Sequence, residues 1–328
     1  MGIRAAGLSI VQELLMTPLR LLTVFVLIAL TGCGVLPRAP EPQLPPPSPI
    51  IEPPVEPPKP ETKIILPKIA LALGGGAARG FAHVGVIKAL EANGIVPEMI
   101  VGTSAGSLVG ALYSAGYGAV DLLQVALQIE DSVFSDWSLP DRGFIKGEVL
   151  QNFVNRAVQN RPLEKLNKIF GTVVTDLQSG QAVVFRTGNT GMAVRASSSV
   201  PGVFQPVTIN GRDYVDGGLV SPVPVRAARA MGADVVIAIY VSIDPRLGKT
   251  VDSIDVLLQS FAIMVQSVAA FELTSADIVI RPDIGAMRGT DFDNRRQAIS
   301  AGEKAGLAAV EAIKRKIAEK TVAITVTR

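Results

Sequence analysis

The chain has 328 residues, 48% of them hydrophobic, with 31 Lys and Arg against 29 Asp and Glu for a formal net charge of +2. Balanced charge, with no basic cluster beyond an ordinary helix end at Lys314–Lys320, gives nucleic-acid binding no support. One cysteine, Cys33, excludes an intramolecular disulfide, and one histidine, His83, excludes a His/Cys metal cluster.

The first segment reads as an address. Arg20 precedes an apolar run from Leu21 to Leu30 that meets Leu30-Thr31-Gly32-Cys33. A basic start, a short apolar stretch and small residues before a cut are the parts of a secretory signal. At roughly 10 residues the run is shorter than the ~20 that cross a bilayer. The ending resembles the lipobox of bacterial lipoproteins, which implies that Cys33 is the lipidated first residue of the mature protein and its membrane anchor. Met16 to Cys33 alone makes a complete signal, so Met16 is a second candidate start. Gly34 is not the aspartate that retains such lipoproteins in the inner membrane. The expectation is a bacterial cell-envelope protein on the outer membrane, facing the periplasm.

From Pro37 to Pro60 prolines alternate with Glu, Ser and Leu. This composition buries no core and favours extended polyproline II. Some 25 residues at ~3.1 Å each reach on the order of 75 Å. The chain thus divides into signal (1–33), tether (34–66), one domain (67–320) and a short tail (321–328).

Within the domain, Ile69–Leu73 is a short apolar run ending at glycines and predicts a buried strand. A helix follows over Val84–Asn93, with Gly94 as its stop. Met99–Val101 predicts the next strand, and Ser104–Ala115 a small-residue helix able to lie close to a sheet. Strand, helix, strand, helix implies parallel strands with crossover helices. Further strands are expected at Val173–Val174, Ala182–Phe185, Val235–Val241 and Ile278–Ile280. Val207–Ile209 and Asp213–Val215 flank Asn210-Gly211, a strong hairpin signal. Leu257, Phe261, Met264, Val265, Val268 and Phe271 recur at helical spacing; core packing is the expected role of that stripe, lining an acyl channel the alternative. Glu303–Lys320 closes the domain as an amphipathic helix.

Three motifs carry chemistry. Gly102-Thr103-Ser104-Ala105-Gly106 lies between a strand and a helix, the setting of a nucleophile elbow. In the order Ser…Asp…His the histidine comes last, and nothing after Ser104 fills that place. The base is therefore His83 by an unusual route, or a carboxylate. Gly74-Gly75-Gly76-Ala77-Ala78-Arg79-Gly80 follows the first strand. It misses the third glycine of a dinucleotide fingerprint and the Gly-Lys-Ser/Thr of a P-loop. An oxyanion hole of backbone N–H groups at a helix start remains. Asp216-Gly217-Gly218 ends the hairpin; alone it is an ordinary solvated turn.

Taken in order with Ser197-Ser198-Ser199-Val200-Pro201-Gly202, these motifs resemble the patatin-like phospholipase family, in its bacterial branch related to neuropathy target esterase. The resemblance covers nearly the whole domain, although Ala77 stands where many relatives carry a fourth glycine. It implies a three-layer α/β/α fold with a mainly parallel central sheet. It implies a Ser–Asp dyad, Ser104 as nucleophile and Asp216 as general base, with oxyanion donors at Gly74, Gly75 and Gly76 and Arg79 beside them. The activity implied is hydrolysis of fatty-acyl esters of phospholipids, lysophospholipids or related membrane lipids through an acyl-serine, with no cofactor and no metal. A thioesterase or acyltransferase uses the same dyad, and a catalytically silent lipid-binding lipoprotein shares the fold. His83, one turn after the glycine loop, is expected to be structural and bonded to backbone. Phe134, Trp137 and Phe144, in the loop from Asp131 to Phe144, either cap the site against lipid or pack inward.

Overall fold

The computed structural model describes residues 61–136, 142–242, 244–247 and 250–326, together with Gln43. Cys33, Trp137 and the signal lie outside the described residues.

The centre of the domain is a sheet whose strands are buried on both faces. Ile69–Leu73 (β2; β1 is given below), Met99–Thr103 (β3), Ile169–Asp176 (β4), Val235–Ile239 (β8) and Ile278–Ile280 (β9) run parallel in the order β4-β3-β2-β8-β9. Parallel strands covered on both sides read as unbroken apolar runs, as IALAL and VVIAI do here. The period of two still sorts side chains by layer. Leu71, Leu73, Ile100, Val235, Ile237 and Ile239 face one cluster, while Ala70, Ala72, Val101, Val236 and Ala238 face the other. The larger side chains meet helices Phe81–Ala92 (α1), Ala105–Ser114 (α2), Ala119–Gln128 (α3), Glu148–Ala157 (α4) and Arg295–Lys320 (α8). The smaller ones let Val225–Ala230 (α6) and Ser253–Glu272 (α7) approach on the opposite side. This is the expected three-layer α/β/α arrangement with a mainly parallel sheet.

Three antiparallel strands complete the sheet. Ala182–Phe185 (β5) pairs with β4 on one edge, and Arg212–Asp216 (β7) pairs with β4 on the other, carrying Val207–Ile209 (β6) beyond it. Asn210 and Gly211 turn the β6–β7 hairpin with φ of 51° and 78°, the two positive values a type I′ turn demands. Thr190–Ser197 (α5) lies between β5 and β6, and the Asn189 side chain accepts the Met192 N–H to cap it.

A separate two-stranded ribbon pairs Glu61–Ile65 (β1) with Val322–Val326 (β10). The sequence assigns these residues to the tether and the tail; in the structure they pair with each other. The sequence does not announce α3, α4, α5 or α6, β4 is longer than Val173–Val174, and α8 begins at Arg295 rather than Glu303. The α7 stripe divides. Val265 is buried and Phe261 partly so, whereas Leu257, Met264 and Phe271 are 44%, 46% and 66% exposed, so core packing fails for that half.

Candidate active site

β4 acts as a ruler for the site. On one edge it pairs first with β3, Thr103 opposite Val173, and one residue further along with β7, Asp216 opposite Val174. The parallel strand that delivers Ser104 and the antiparallel strand that delivers Asp216 therefore end against each other. Gly217 makes this junction possible, because a Cβ there would lie 2.3 Å from the Val173 carbonyl oxygen.

Ser104 sits between β3 and α2 with φ 53° and ψ −124°, a conformation few side-chain-bearing residues adopt. Such backbone costs about 1–3 kcal/mol and persists only where its surroundings over-determine it. Gly106 is one reason it persists: a Cβ there would stand 2.1 Å from the Leu73 carbonyl oxygen, so only glycine lets the elbow fold back over β2. Ser197 is another. Its hydroxyl donates to the Val173 carbonyl at 2.6 Å and accepts the Ser104 N–H at 2.9 Å, clasping the elbow to β4.

Asp216 is 2% exposed. Its carboxylate accepts the Gly218 N–H at 2.7 Å and the Ser104 hydroxyl. Its backbone is fixed on both sides, the N–H donating to Ser199 O at 2.9 Å and the carbonyl accepting from Thr175 Oγ1 at 2.8 Å. Burial pushes the carboxyl up to about 6, and the two hydrogen bonds hold it back from rising further. It is thus ionised at neutral pH but far more basic than a surface aspartate.

Ser104 and Asp216 open onto a cavity of about 550 Å³, walled mainly by Leu108, Val109, Leu112, Leu122, Ile129, Phe134, Ile145 and Leu150, with Phe261 and Val265 of α7 on another side. The polar groups converge at one place in an otherwise apolar space, the ordinary form of a small-molecule site.

Residues 71–229 match the patatin-like phospholipase family. The chain is 36% identical over 180 residues to an NTE family protein of Mycobacterium tuberculosis, covering 53% of this chain and 49% of that one. It is 35% identical over 183 residues to lysophospholipase NTE1 of Yarrowia lipolytica, and 36% identical over 181 residues to human patatin-like phospholipase domain-containing protein 6. Those matches cover 54% and 53% of this chain and 13% of each relative. The matched stretch is a patatin-like phospholipase domain. The chain spans about half the length of the mycobacterial relative and a small part of the yeast and human ones. Among solved structures it is similar to VipD from Legionella pneumophila, at a TM-score of 0.44, 13% identity and coverage of 79% and 68% of the two chains. It is also similar to the ExoU–SpcU complex of Pseudomonas aeruginosa, at 0.41, 14%, 86% and 62%.

The glycine loop of this patatin-like domain corrects the sequence reading in one respect. The Gly74 N–H donates to Ile239 O and the Gly75 N–H to Pro222 O, each at 3.0 Å, so both donors are spent on holding the loop. Among the described residues, the N–H groups of Gly76 and Ala77 have no acceptor, and both residues line the cavity. Ala77 has φ 49°, the left-handed region that glycine enters freely and alanine enters at a cost of about 1–2 kcal/mol. Arg79 lies beside them. Its guanidinium donates to Val241 O at 3.0 Å and Met287 O at 3.4 Å. Burial lowers its pKa to about 10, leaving a fixed positive charge at neutral pH.

His83 is fully buried in α1. Its Nε2 is 2.8 Å from the Gly74 carbonyl oxygen, which makes Nε2–H the donor. Burial lowers its pKa to about 4, so the ring is neutral and serves the backbone, as expected. Phe134 stacks on Phe292 at 4.8 Å and packs into the cavity wall, the inward alternative for that ring. Two supports went unread in the sequence. Glu272 of α7, 1% exposed, accepts from Ser221 Oγ at 2.7 Å and from the Val223 N–H at 3.2 Å. The intervening Pro222 carbonyl receives Gly75, and the Ser221 carbonyl receives Thr103 Oγ1 at 2.8 Å. No local pattern announces Ser221 or Glu272; only the fold brings them under the glycine loop.

Proposed function

We propose that the chain is a serine acyl hydrolase of fatty-acyl lipid esters, with Ser104 as nucleophile and Asp216 as general base. What supports this reading is that β3 and β7 end against each other on β4, bringing Ser104 and the buried, basic Asp216 together at the wall of one apolar cavity. Asp216 takes the hydroxyl proton as the Ser104 oxygen attacks the ester carbonyl carbon. The oxyanion faces the Gly76 and Ala77 N–H groups, with the Arg79 charge nearby, and stabilisation of this kind is usually the largest catalytic contribution. Collapse breaks the ester C–O bond, and the departing alcohol takes the proton from Asp216. Water then loses a proton to Asp216 and attacks the acyl-serine; the fatty acid leaves and the proton returns to Ser104. His83 takes no part.

The apolar cavity suits an acyl chain, and the names of the yeast and human relatives, a lysophospholipase and a phospholipase-domain protein, support a phospholipid or lysophospholipid substrate. Anchoring through lipidated Cys33, on the envelope of a bacterium and facing the periplasm, places the domain within reach of such lipids. The test is covalent labelling with a fluorophosphonate probe. Wild type is expected to label, Ser104→Ala not at all, and Asp216→Asn at a rate lower by ~10²–10⁴, the usual worth of a positioned base. Wild-type labelling of Ser104→Ala overturns the assignment.

A further inference from the structure

Helix α7 presents an outward face that a helix bathed in water does not carry. Between Asp255 and Glu272 it contains no charged residue. Val256, Leu257, Ile263, Met264 and Phe271 are 44–66% exposed, and their spacing places them on one stripe. The segment 255–275 has the length and mean hydropathy, 1.6, of a membrane span. It does not leave the domain, however: Val265, Ala269 and Glu272 are buried against it.

The polar side chains of this stripe are turned in on the helix. Ser260 Oγ donates to Val256 O at 2.9 Å, Ser267 Oγ to Ile263 O at 3.0 Å and Thr274 Oγ1 to Phe271 O at 2.7 Å. A hydroxyl that faces water has no need of such a bond; one that faces hydrocarbon does. At the end of the stripe the Arg226 guanidinium lies 5.7 Å from the centre of the Phe271 ring, a cation beside an aromatic, as suits a headgroup boundary. The opposite face of the helix lines the cavity through Phe261, Ala262 and Val265, and Leu258 belongs to both the lining and the exposed surface.

We propose that the outward stripe of α7 docks on a phospholipid bilayer, with its apolar side chains among the upper acyl segments and the cavity opening beside them. This rests on the reading of the chain as a lipid acyl hydrolase, because the bilayer is then both the docking surface and the source of substrate. A second copy on the same face would cover the rim at Leu258 through which an acyl chain enters. The docked helix lies in the plane of the interface rather than across it.

The test uses the full chain with Cys33→Ala, so that one introduced cysteine carries an environment-sensitive nitrobenzoxadiazole label. The label is placed at Met264→Cys on α7 or, as control, at Lys314→Cys on the exposed side of α8. Vesicles of phosphatidylcholine and phosphatidylglycerol, with and without nitroxide-labelled acyl chains, are then added. The label at 264 is expected to shift to the blue and be quenched by nitroxide, while the label at 314 does neither. Equal behaviour at the two positions overturns the proposal, and so does a blue shift at 264 that depends on protein concentration without vesicles, the signature of a second copy. In a second arm, Ile263→Asp/Met264→Asp is expected to lose ~10-fold or more of its turnover of vesicle lipid. Its turnover of soluble p-nitrophenyl butyrate is expected to equal that of wild type. Unchanged turnover of vesicle lipid overturns the docking surface. Wild type inactive on both the soluble ester and vesicle lipid overturns the hydrolase reading instead, and the label experiment decides docking independently.

Discussion

Replacing Asp216 by Asn is expected to make the domain more stable and to cost its activity. The buried carboxyl titrates near 6, against about 3.8 in an unfolded chain. Between those values the native state holds a proton that the unfolded state has lost, so stability falls as pH rises through the window. The difference of about 2 pH units corresponds to about 3 kcal/mol at pH 8, roughly half that at pH 5 and almost none at pH 3.5. Asn keeps an oxygen for the Gly218 N–H and the Ser104 hydroxyl and has no charge to desolvate. For a domain of this size about 3 kcal/mol raises Tm by roughly 6–12 °C. Thermal unfolding of wild type and Asp216→Asn, followed by circular dichroism at pH 4, 6 and 8, reads the effect directly. A Tm difference that does not grow with pH, or a variant less stable than wild type at pH 8, refutes the picture of an ionised carboxylate held out of water.

The remaining expectations concern the same site. The kcat/KM of wild type on a soluble ester should fall about tenfold per pH unit below pH 6, as Asp216 takes up its proton. His83→Gln, which can still donate to the Gly74 carbonyl, should leave that limb where it is; displacement of the limb would give His83 a part in proton transfer. Ser197→Ala strips the buried Val173 carbonyl and Ser104 N–H of their partner at once. It should cost about 2–3 kcal/mol in unfolding free energy and lower kcat with little change in KM. Wild-type kcat in a destabilised Ser197→Ala protein would show that the clasp serves the fold and not the elbow.

The reactive residues were legible in the sequence because each is bound to a backbone need that leaves a local mark. Ser104 must adopt a positive φ and Gly106 must clear Leu73, so the pentapeptide is visible as Gly-x-Ser-x-Gly. The hairpin behind Asp216 was visible because only residues such as Asn210 and Gly211 turn with two positive φ values. The oxyanion donors were not separable by sequence, since four successive N–H groups look alike until Ile239 and Pro222 claim two of them. Helices α3, α4, α5 and α6 escaped although α3 and α4 are clearly amphipathic; at 10, 10, 8 and 6 residues they are short, and helices of that length depend on tertiary packing. The α7 stripe was seen but assigned to the core, because helical spacing reports that a face is apolar and not what covers it. Ser197, Ser221 and Glu272 act across long sequence separations, and nothing near them in the chain marks their partners.

The ribbon of β1 and β10 sets Glu61 opposite Val326, so the folded unit begins and ends at one spot on its surface. A module with adjoining ends can be spliced into a loop of another protein, or hung from a single stalk, without prising its host or itself apart. The pairing also means that a handle joined at the end of β10 would leave the domain beside the start of β1.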